Sequence, residues 1–259
     1  MKAVILAGGF GTRISEESHL KPKPMIEIGE KPILWHIMKE YSVYGVEEFI
    51  ICAGYKQHII KKWFADYFIH TSDITFDFSK GNEMIVHNKH AEAWKVTIVD
   101  TGLNTQTGGR VKRIQNYIGN EPFMLTYGDA VSDINVSELI NCHIRQKKIG
   151  TMSMYNFGQS KGVVDINKDG SITAFREKSN YDGDLINIGY MIFEPQIFEF
   201  IDGDSAVLEK DVLNRLVNEN QLSGYIHKSF WQCMDTLREK QKLEELWETG
   251  RAPWKIWKE

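Results

Sequence analysis

The sequence predicts an α/β fold in which helices flank a mixed, mainly parallel sheet, with a β-rich C-terminal part. Two observations support this prediction. Short apolar runs, such as Ala3–Leu6 and Phe49–Ala53, have the uniform hydrophobicity of strands that are buried on both faces. Segments with helical periodicity alternate with these runs through the first third of the chain. This alternation indicates parallel βαβ crossovers, and the predicted architecture is therefore Rossmann-like.

The helices of the first third are predicted from their apolar faces. Pro32 suits the first position of a helix, and one face of that helix then carries Ile33, Leu34, Ile37, Met38 and Tyr41. The helix after Phe49–Ala53 has a face that carries Ile59, Ile60, Trp63, Phe64, Tyr67 and Phe68. The pattern loosens between Ser72 and Gly109, where Glu83–Asn88 and Lys95–Asp100 are predicted to be strands.

The second half begins with another buried strand, Phe123–Thr126, which leads into Tyr127-Gly128-Asp129. Asn135 and Glu138 have the spacing of a capping box, in which each side chain bonds the other residue's backbone N–H at a helix start. The later predicted elements are helices near Gln196–Ile201 and Ala206–Val217, a strand at Leu222–His227 and a final helix that starts near Thr236.

The length of 259 residues fits one large domain or one domain with an appended subdomain, and 42% hydrophobic residues are typical of a folded protein. The formal net charge of -4 argues against a dedicated nucleic-acid binder, which would show a basic face. The three cysteines match neither a disulfide framework nor metal-ligand spacing, so we expect reduced thiols. No apolar run approaches the roughly 20 residues needed to cross a bilayer. We therefore expect a cytoplasmic protein with no membrane partner.

The most informative segment leaves the end of the first strand. It reads Leu6-Ala7-Gly8-Gly9-Phe10-Gly11-Thr12-Arg13 and is followed by Lys21-Pro22-Lys23-Pro24. Open parallel sheets place ligand crevices at the carboxyl ends of strands, and glycines there let backbone N–H groups approach a phosphate. Arg13 offers a planar fork of donors for phosphate oxygens. Lys21 and Lys23 precede prolines, which favours an extended backbone, and residues two apart then face the same side. The segment therefore predicts a phosphate site with several cations.

Two other phosphate-binding motifs do not match this segment. The dinucleotide-binding motif G-x-G-x-x-G needs a third glycine at the position of Ile14, and the P-loop run G-x-x-x-x-G-K-[ST] is absent from the sequence. An NAD-dependent oxidoreductase is therefore a disfavoured alternative. The structural alternative for the segment is a glycine turn with solvated cations nearby.

Two aspartates are candidates for holding a divalent cation. Asp129 follows Gly128 at the end of a predicted strand, and Asp235 precedes Thr236-x-x-Glu239, which has capping-box spacing. Mg²⁺ prefers one or two carboxylates together with phosphate oxygens and water. Each aspartate also has a structural alternative. Asp129 could bond its own loop backbone, and Asp235 could interact favourably with a helix N-terminus.

These motifs resemble a known family. Gly-x-Gly-Thr-Arg followed by Lys-Pro-Lys-Pro resembles the signature of the nucleoside-diphosphate-sugar pyrophosphorylases, with Ile14 where leucine is usual. Four further segments resemble the cytidylyltransferases of that family in particular. They are Ser72-Asp73-Ile74-Thr75-Phe76, Trp94-Lys95-Val96-Thr97, Val99-Asp100-Thr101-Gly102 and Thr107-Gly108-Gly109-Arg110. The resemblance covers essentially the whole chain. It implies the nucleotide-diphospho-sugar transferase fold and an Mg²⁺-dependent reaction of CTP with α-D-glucose 1-phosphate, which yields CDP-glucose and pyrophosphate.

The resemblance also implies roles for individual residues. Asp129 and Asp235 match the family's two metal-binding aspartates, and Lys178 would hold the sugar phosphate while Glu177 contacts sugar hydroxyls. A charged strand edge is the alternative for Glu177 and Lys178. The predicted catalytic residues are Arg13, Lys23, Asp129 and Lys178. Arg13, Lys23 and Asp129 are also predicted to contact the nucleotide. The other predicted contacts are Leu6, Ala7, Gly8, Gly9, Gly11, Thr12, Asn104 and Gly109 for the nucleotide, and Asn187 and Gly189 for the sugar phosphate.

The resemblance further implies one nucleotidyltransferase domain over residues 1–259. Residues from 1 to about 130 would bind the nucleotide, and residues from about 131 to 259 would bind the sugar phosphate and serve assembly. Relatives of this type form homo-oligomers, such as hexamers, and the implied product belongs to lipopolysaccharide or O-antigen sugar synthesis. The same chemistry with dTTP or UTP remains an alternative, as does a catalytically silent sugar-nucleotide sensor. The sensor has little reason to keep the lysines and aspartates together.

Overall fold

The computed structural model of the protein describes residues 1–89, 91–156, 163–167, 171–176 and 185–258. Its strands are β1 (Lys2–Ala7), β2 (Glu27–Ile28), β3 (Lys31–Pro32), β4 (Glu48–Ala53), β5 (Ser72–Asp77), β6 (Glu83–Lys89), β7 (Lys95–Asp100), β8 (Phe123–Tyr127), β9 (Ala130–Ser132), β10 (Gly150–Asn156), β11 (Val163–Ile166), β12 (Ile172–Arg176), β13 (Leu185–Phe193), β14 (Leu222–His227) and β15 (Trp231–Cys233).

The α-helices are α1 (Ser15–Ser18), α2 (Ile33–Ser42), α3 (Gln57–His70), α4 (Thr107–Arg113), α5 (Gln115–Ile118), α6 (Val136–Gln146), α7 (Leu213–Asn218) and α8 (Leu237–Glu248). Short 3₁₀ helices occupy Thr12–Ile14, Lys23–Met25, Phe78–Lys80 and Pro195–Phe200, and Leu208–Val212 forms a π-helical turn. In the described ranges, no helix is long and apolar enough to span a membrane.

The main sheet confirms the predicted fold class. Among the described residues it has seven strands in the order β14-β10-β13-β8-β1-β4-β7. The pairs β1–β4, β1–β8, β4–β7 and β10–β14 are parallel, whereas β13 runs antiparallel to both β10 and β8. The sheet is therefore mixed and mainly parallel.

Layers of helices cover both faces of this sheet. Ala3, Ile5 and Ala7 of β1 belong to the core cluster on the side of α2, whereas Val4 and Leu6 belong to the cluster on the side of α7. Because neither face of β1 meets water, every position after Lys2 is apolar. This double burial explains why the strand reads as an uninterrupted hydrophobic run.

Several boundaries differ from the predictions for local reasons. Pro32 is the N-cap of α2 rather than its first helical residue. The predicted helix at Gln196–Ile201 is the 3₁₀ helix Pro195–Phe200, and the segment Ala206–Val217 contains the π-helical turn followed by α7. Helix α4 was not predicted, because two of its residues are glycines, which disfavour helices.

The two predicted capping boxes form to different extents. Thr236 and Glu239 form the complete box at the start of α8. At the start of α6, Asn135 Oδ1 accepts a hydrogen bond from Glu138 N at 3.0 Å, whereas the Glu138 carboxylate accepts from the hydroxyl of Tyr225. The second half of that box is therefore replaced by a bond to β14.

A buried histidine lies within an aromatic cluster under the C-terminal segment. His36 Nε2–H donates to Ile28 O at 2.8 Å, and Trp254 Nε1 donates to His36 Nδ1 at 3.3 Å. The ring also makes an edge contact with Trp247. Burial lowers the pKa of His36 from 6.5 to about 4. The imidazole is therefore neutral in the folded protein near pH 7.

This pKa predicts a loss of stability in mild acid. The unfolded chain takes up a proton at His36 near pH 6.5, while the folded protein does not until pH falls to about 4. Acid thus favours the unfolded chain, and His36 should account for about 2 kcal/mol of the decrease in unfolding free energy between pH 7 and pH 5. In urea titrations, His36→Gln should show a smaller decrease than the wild type. The exposed His58 provides the matched control, His58→Gln, and an equal pH dependence in both variants would contradict the assignment.

Candidate active site

A cavity of about 750 Å³ opens at the carboxyl ends of β1 and β8. Parallel sheets commonly bind ligands at this edge. Nine of the predicted nucleotide contacts line the cavity: Leu6, Ala7, Gly8, Gly9, Gly11, Thr12, Lys23, Asn104 and Asp129. The predicted metal ligand Asp235 and the predicted sugar contact Asn187 also line it. The structure thus brings most of the predicted site residues that it describes to one place.

Lys23 joins the two predicted metal ligands. Its Nζ donates to Asp129 Oδ2 at 2.6 Å and also to Asp235 Oδ1. The Lys23 side chain is only 9% exposed. Burial by itself would lower the pKa of the ammonium, but attraction to Asp129 and Asp235 and the hydrogen bonds to them outweigh burial and raise the pKa. Lys23 is therefore a fixed cation in the cavity.

A short antiparallel ribbon brings the two aspartates together. Strand β9 pairs with β15 so that Ala130 lies opposite Cys233. Asp129 comes directly before β9, and Asp235 follows β15 by two residues. Met234 N donates to Asp129 O at 2.8 Å, which continues the pairing beyond the ribbon. Residues more than a hundred positions apart in the sequence therefore present carboxylates to the same lysine.

The capping box of α8 orients the second aspartate. Glu239 Oε2 accepts hydrogen bonds from the backbone N–H groups of Asp235 and Thr236, each at 2.8 Å. Thr236, not Asp235, caps the helix with its side chain. The Asp235 carboxylate is thus left to contact Lys23.

The two lysines of the Lys-Pro-Lys-Pro segment do not act together, contrary to the prediction that they face the same side. Lys21 Nζ donates to Glu27 Oε1 at 2.8 Å, whereas Lys23 lies in the cavity. The backbone explains the difference, because Lys23 begins the 3₁₀ helix Lys23–Met25 and the alternation of an extended chain ends there.

Arg110 is a cavity residue that the sequence analysis did not identify. It is buried, and its Nη1 donates to Thr101 Oγ1 at 2.8 Å and to Gly102 O at 2.7 Å. Burial lowers the pKa of its guanidinium. A Cβ atom on Gly8 would lie 2.1 Å from Arg110 Nη1, so Gly8 leaves room for the guanidinium. The sequence did contain a signal for Arg110, because it is the last residue of the segment Thr107–Arg110 that resembles the family.

Tyr127 and Glu209 are further cavity residues that were not predicted. The Glu209 carboxylate accepts from the Tyr127 hydroxyl at 2.5 Å and from Thr107 Oγ1 at 2.7 Å. Burial, followed by the charge of Glu209, raises the pKa of Tyr127. Glu209 lies on the π-helical turn, and such turns frequently occur at functional sites. No local motif could have identified Glu209, because its partners are 82 and 102 residues away.

The sugar-phosphate side is described only in part. Glu177 and Lys178 lie outside the described residues, as does the side chain of Arg13. Asn187 lines the cavity, and its Oδ1 accepts from Gly189 N at 2.8 Å. A Cβ atom on Gly189 would lie 2.3 Å from the Tyr127 ring, so that ring fills the space beside the glycine. Room for a sugar at Gly189 remains a prediction.

Gly109, another predicted nucleotide contact, packs within the fold, and its contact with the nucleotide stays a prediction. In the described part of the chain, Gly109 is not among the residues that line the cavity. It is buried in α4, where its N donates to Ala206 O at 3.1 Å and an added Cβ would lie 2.5 Å from Asp204 O. The glycine therefore allows α4 to pack closely on the segment 203–206.

The donor set of the site fits the predicted Mg²⁺. Among the described residues, no group of three or more His, Cys, Asp and Glu side chains forms a ready-made metal site. Mg²⁺ is commonly held by one or two carboxylates, with phosphate oxygens and water as its other ligands, and Asp129 and Asp235 could supply the carboxylates. One lysine and two aspartates have a formal charge of -1, so a triphosphate bound beside this group calls for further positive charge.

Comparisons with known proteins agree with this geometry. A model of the nucleotidyl transferase family matches residues 2–248. The glucose-1-phosphate cytidylyltransferase of Salmonella typhimurium is 49% identical over 258 residues, which are 99% of this chain and 100% of that relative.

Solved structures support the fold. The crystal structure of HddC from Yersinia pseudotuberculosis has a TM-score of 0.68 at 23% identity and covers 95% of this chain and 99% of that one. UDP-glucose pyrophosphorylase complexed with UDP-glucose also has a TM-score of 0.68, at 18% identity, with 96% and 99% covered. The predicted nucleotide-diphospho-sugar transferase fold is therefore confirmed.

Two glycine-to-alanine substitutions should distinguish a glycine that is needed for packing from one that only lines the cavity. Alanine normally stabilises a helix relative to glycine by up to about 1 kcal/mol. Gly109→Ala should instead lower the unfolding free energy by about 1–3 kcal/mol, because its Cβ would overlap Asp204. A decrease of several degrees in Tm should follow. Gly9→Ala is the control, since a Cβ there meets nothing within 4 Å. An unchanged or raised Tm for Gly109→Ala would contradict the packing role.

Proposed function

Because the chain belongs to the nucleotidyl transferase family, we propose that it transfers a cytidylyl group from CTP to α-D-glucose 1-phosphate. A phosphate oxygen of the sugar phosphate attacks the α-phosphorus of CTP, and the bond from that phosphorus to the oxygen that bridges to the β-phosphorus breaks. The products are CDP-glucose and pyrophosphate. The relative from Salmonella typhimurium supports the choice of both substrates by its name.

The observation that carries the proposal is the position of Lys23. Phosphoryl-transfer chemistry asks the protein mainly to align its substrates and to stabilise negative charge that develops at phosphorus and on the leaving group. Lys23 is a buried cation in a cavity that is also lined by the glycine loop. An ammonium has three donors. In the described structure Asp129 and Asp235 take two of them, so the third could reach an α-phosphate oxygen.

The remaining roles follow the arrangement of the cavity. The backbone amides of the glycine loop and Arg13 would hold the triphosphate, and the pyrimidine would lie near Leu6–Gly9 and Asn104. Lys178 would position the sugar phosphate, with Glu177 and Asn187 near the sugar. Asp129 and Asp235 would hold Mg²⁺, which neutralises phosphate charge when it is bound. We further propose that the protein acts in the cytoplasm as a homo-oligomer and contributes to lipopolysaccharide or O-antigen sugar synthesis.

A pyrophosphate-release assay tests this function. The purified protein is supplied with Mg²⁺ and with CTP, UTP or dTTP, each against a panel of sugar 1-phosphates. We expect the highest kcat/KM for CTP with glucose 1-phosphate, because the relative with 49% identity carries that name. A higher value with UTP or dTTP would overturn the assignment of the base. Absence of pyrophosphate release with every pair would favour the silent sensor.

Substitution of either aspartate should impair turnover without loss of the fold. Asp129→Asn and Asp235→Asn each remove a charge that contacts Lys23 while they preserve the size of the side chain. We expect kcat to fall by roughly 10²–10³-fold, as for other groups that organise charge at a reaction centre. The control is Asp202→Asn, which changes a carboxylate that is 86% exposed. Near-normal kcat in both cavity variants would remove the proposed metal role.

A further inference from the structure

A buried carboxyl group lies behind the aspartate ribbon. Glu40 of α2 is only 1% exposed, although glutamate is rarely buried without strong partners. Its Oε1 accepts from Ser132 N at 3.2 Å, and its Oε2 accepts from the Tyr190 hydroxyl at 2.7 Å. The same hydroxyl lies 3.4 Å from Ala130 O. Glu40 therefore connects α2 to β9 and, through Tyr190, to β13.

The ribbon that Glu40 contacts is separate from the main sheet. In the described part of the chain, β9 and β15 form a two-stranded sheet of their own. Internal bonds unite the two strands: Ser132 Oγ donates to Phe230 O at 2.8 Å, and Phe230 N donates to Asp133 Oδ1 at 2.8 Å. The ribbon is thus a unit, and its position depends on contacts with the body of the protein.

Several contacts attach the ribbon and its flanking residues to the main sheet. His227 Nε2 of β14 lies 2.9 Å from Phe230 O and 3.3 Å from Ser132 Oγ. Trp231 Nε1 donates to Ile188 O at 3.1 Å, which attaches β15 to β13. Glu40 attaches β9, the strand that directly follows Asp129. A displacement of β9 would move Asp129, and through the bond from Met234 N to Asp129 O it would also move the segment that carries Asp235.

We propose that Glu40 is a positioning residue for both aspartates, because it fixes the ribbon against α2 and β13. The proposal rests on the proposed function of Asp129 and Asp235. A well-packed apolar side chain is often no worse for stability than a buried ionisable group. The packing of α2 therefore does not itself call for a carboxyl group at this position, whereas two converging donors on β9 and β13 do.

The chemistry of the buried group identifies the conservative variant. Burial raises the pKa of Glu40 well above its usual value, opposed by the hydrogen bonds from Tyr190 and Ser132 and reinforced by the charge of Asp133. A neutral amide is therefore a close substitute. Glu40→Gln keeps an acceptor for Ser132 N and a polar group beside Tyr190. Glu40→Leu keeps an apolar volume and removes both hydrogen bonds.

The test combines hydrogen exchange with kinetics on the full chain. Exchange of the amides in 129–135 and 230–236 reports the ribbon directly and needs no substrate. For Glu40→Leu we expect at least about tenfold faster exchange there, with kcat about tenfold or more lower, as for other groups that orient metal ligands. The KM for glucose 1-phosphate should be little changed. Glu40→Gln should stay within about threefold of the wild type in each measurement.

Two further variants keep the test decisive if Glu40→Leu folds poorly. Tyr190→Phe removes one of the donors to Glu40 but retains the buried ring, and it should change exchange and kcat in the same direction. Thr151→Val is the matched control, because Thr151 is buried and bonds His143 and Ser223 away from the cavity. It should leave exchange in the ribbon and kcat unchanged.

The outcomes separate this proposal from the proposed function. Wild-type exchange in the ribbon of Glu40→Leu or of Tyr190→Phe would overturn the positioning role, whatever the activity. An equal loss of kcat in Glu40→Leu and Glu40→Gln would also overturn it. If the wild type releases no pyrophosphate while Glu40→Leu loosens the ribbon and Glu40→Gln does not, the positioning of the ribbon stands and the proposed function fails.

Discussion

The contact of one buried ammonium with two carboxylates determines the geometry of the site. Asp129 and Asp235 are separated from Lys23 by 106 and 212 residues of chain. A charge that leaves water is costly unless it is paired and hydrogen-bonded. Lys23 is therefore compensated only when the first strand, β8 and the β9–β15 ribbon have all reached their places. The fold therefore assembles the site from residues that lie far apart in the sequence.

The two explanations that the sequence allowed for Asp235 are not equivalent in the structure. An aspartate before Thr236-x-x-Glu239 could interact with the helix N-terminus without any ligand. Here Thr236 supplies the cap, and Glu239 accepts from the backbone N–H of Asp235. The helix start therefore holds the Asp235 backbone while its carboxylate contacts Lys23. The capping motif and the proposed metal role concern different atoms of neighbouring residues, so the cap does not exclude the proposed role.

The sequence predicted those parts of the protein that are determined by residues close together in the chain. The buried run of β1 and the box at Thr236 and Glu239 follow from nearest neighbours, and the structure contains both. Helix α4 depends instead on packing against Asp204 and Ala206, about a hundred residues away, which overrides the low helix propensity of its glycines. Glu209 was not predicted as a cavity residue for the same reason, because its hydrogen-bond partners lie far away in the sequence. For Asp129 and Asp235 the local signals allowed structural roles as well, and the family resemblance was the reason to prefer the metal role.

Different constraints require glycine at the positions around the cavity, although the sequence suggested only that a phosphate approaches the backbone there. Gly8 leaves room for Arg110, and Gly128 leaves room for Pro24, whose Cγ would lie 2.9 Å from an added Cβ. Among the described glycines of the loop, Gly9 faces space in which an added Cβ would meet no atom within 4 Å. A backbone can approach a phosphate closely only where neither its own side chain nor another residue intervenes. Gly9 meets that condition, whereas Gly8 serves the buried arginine beneath the loop. Gly11 has a φ of +66°, a left-handed conformation that favours glycine. The loop therefore depends on glycine for three reasons, and the proposed ligand accounts for only one of them.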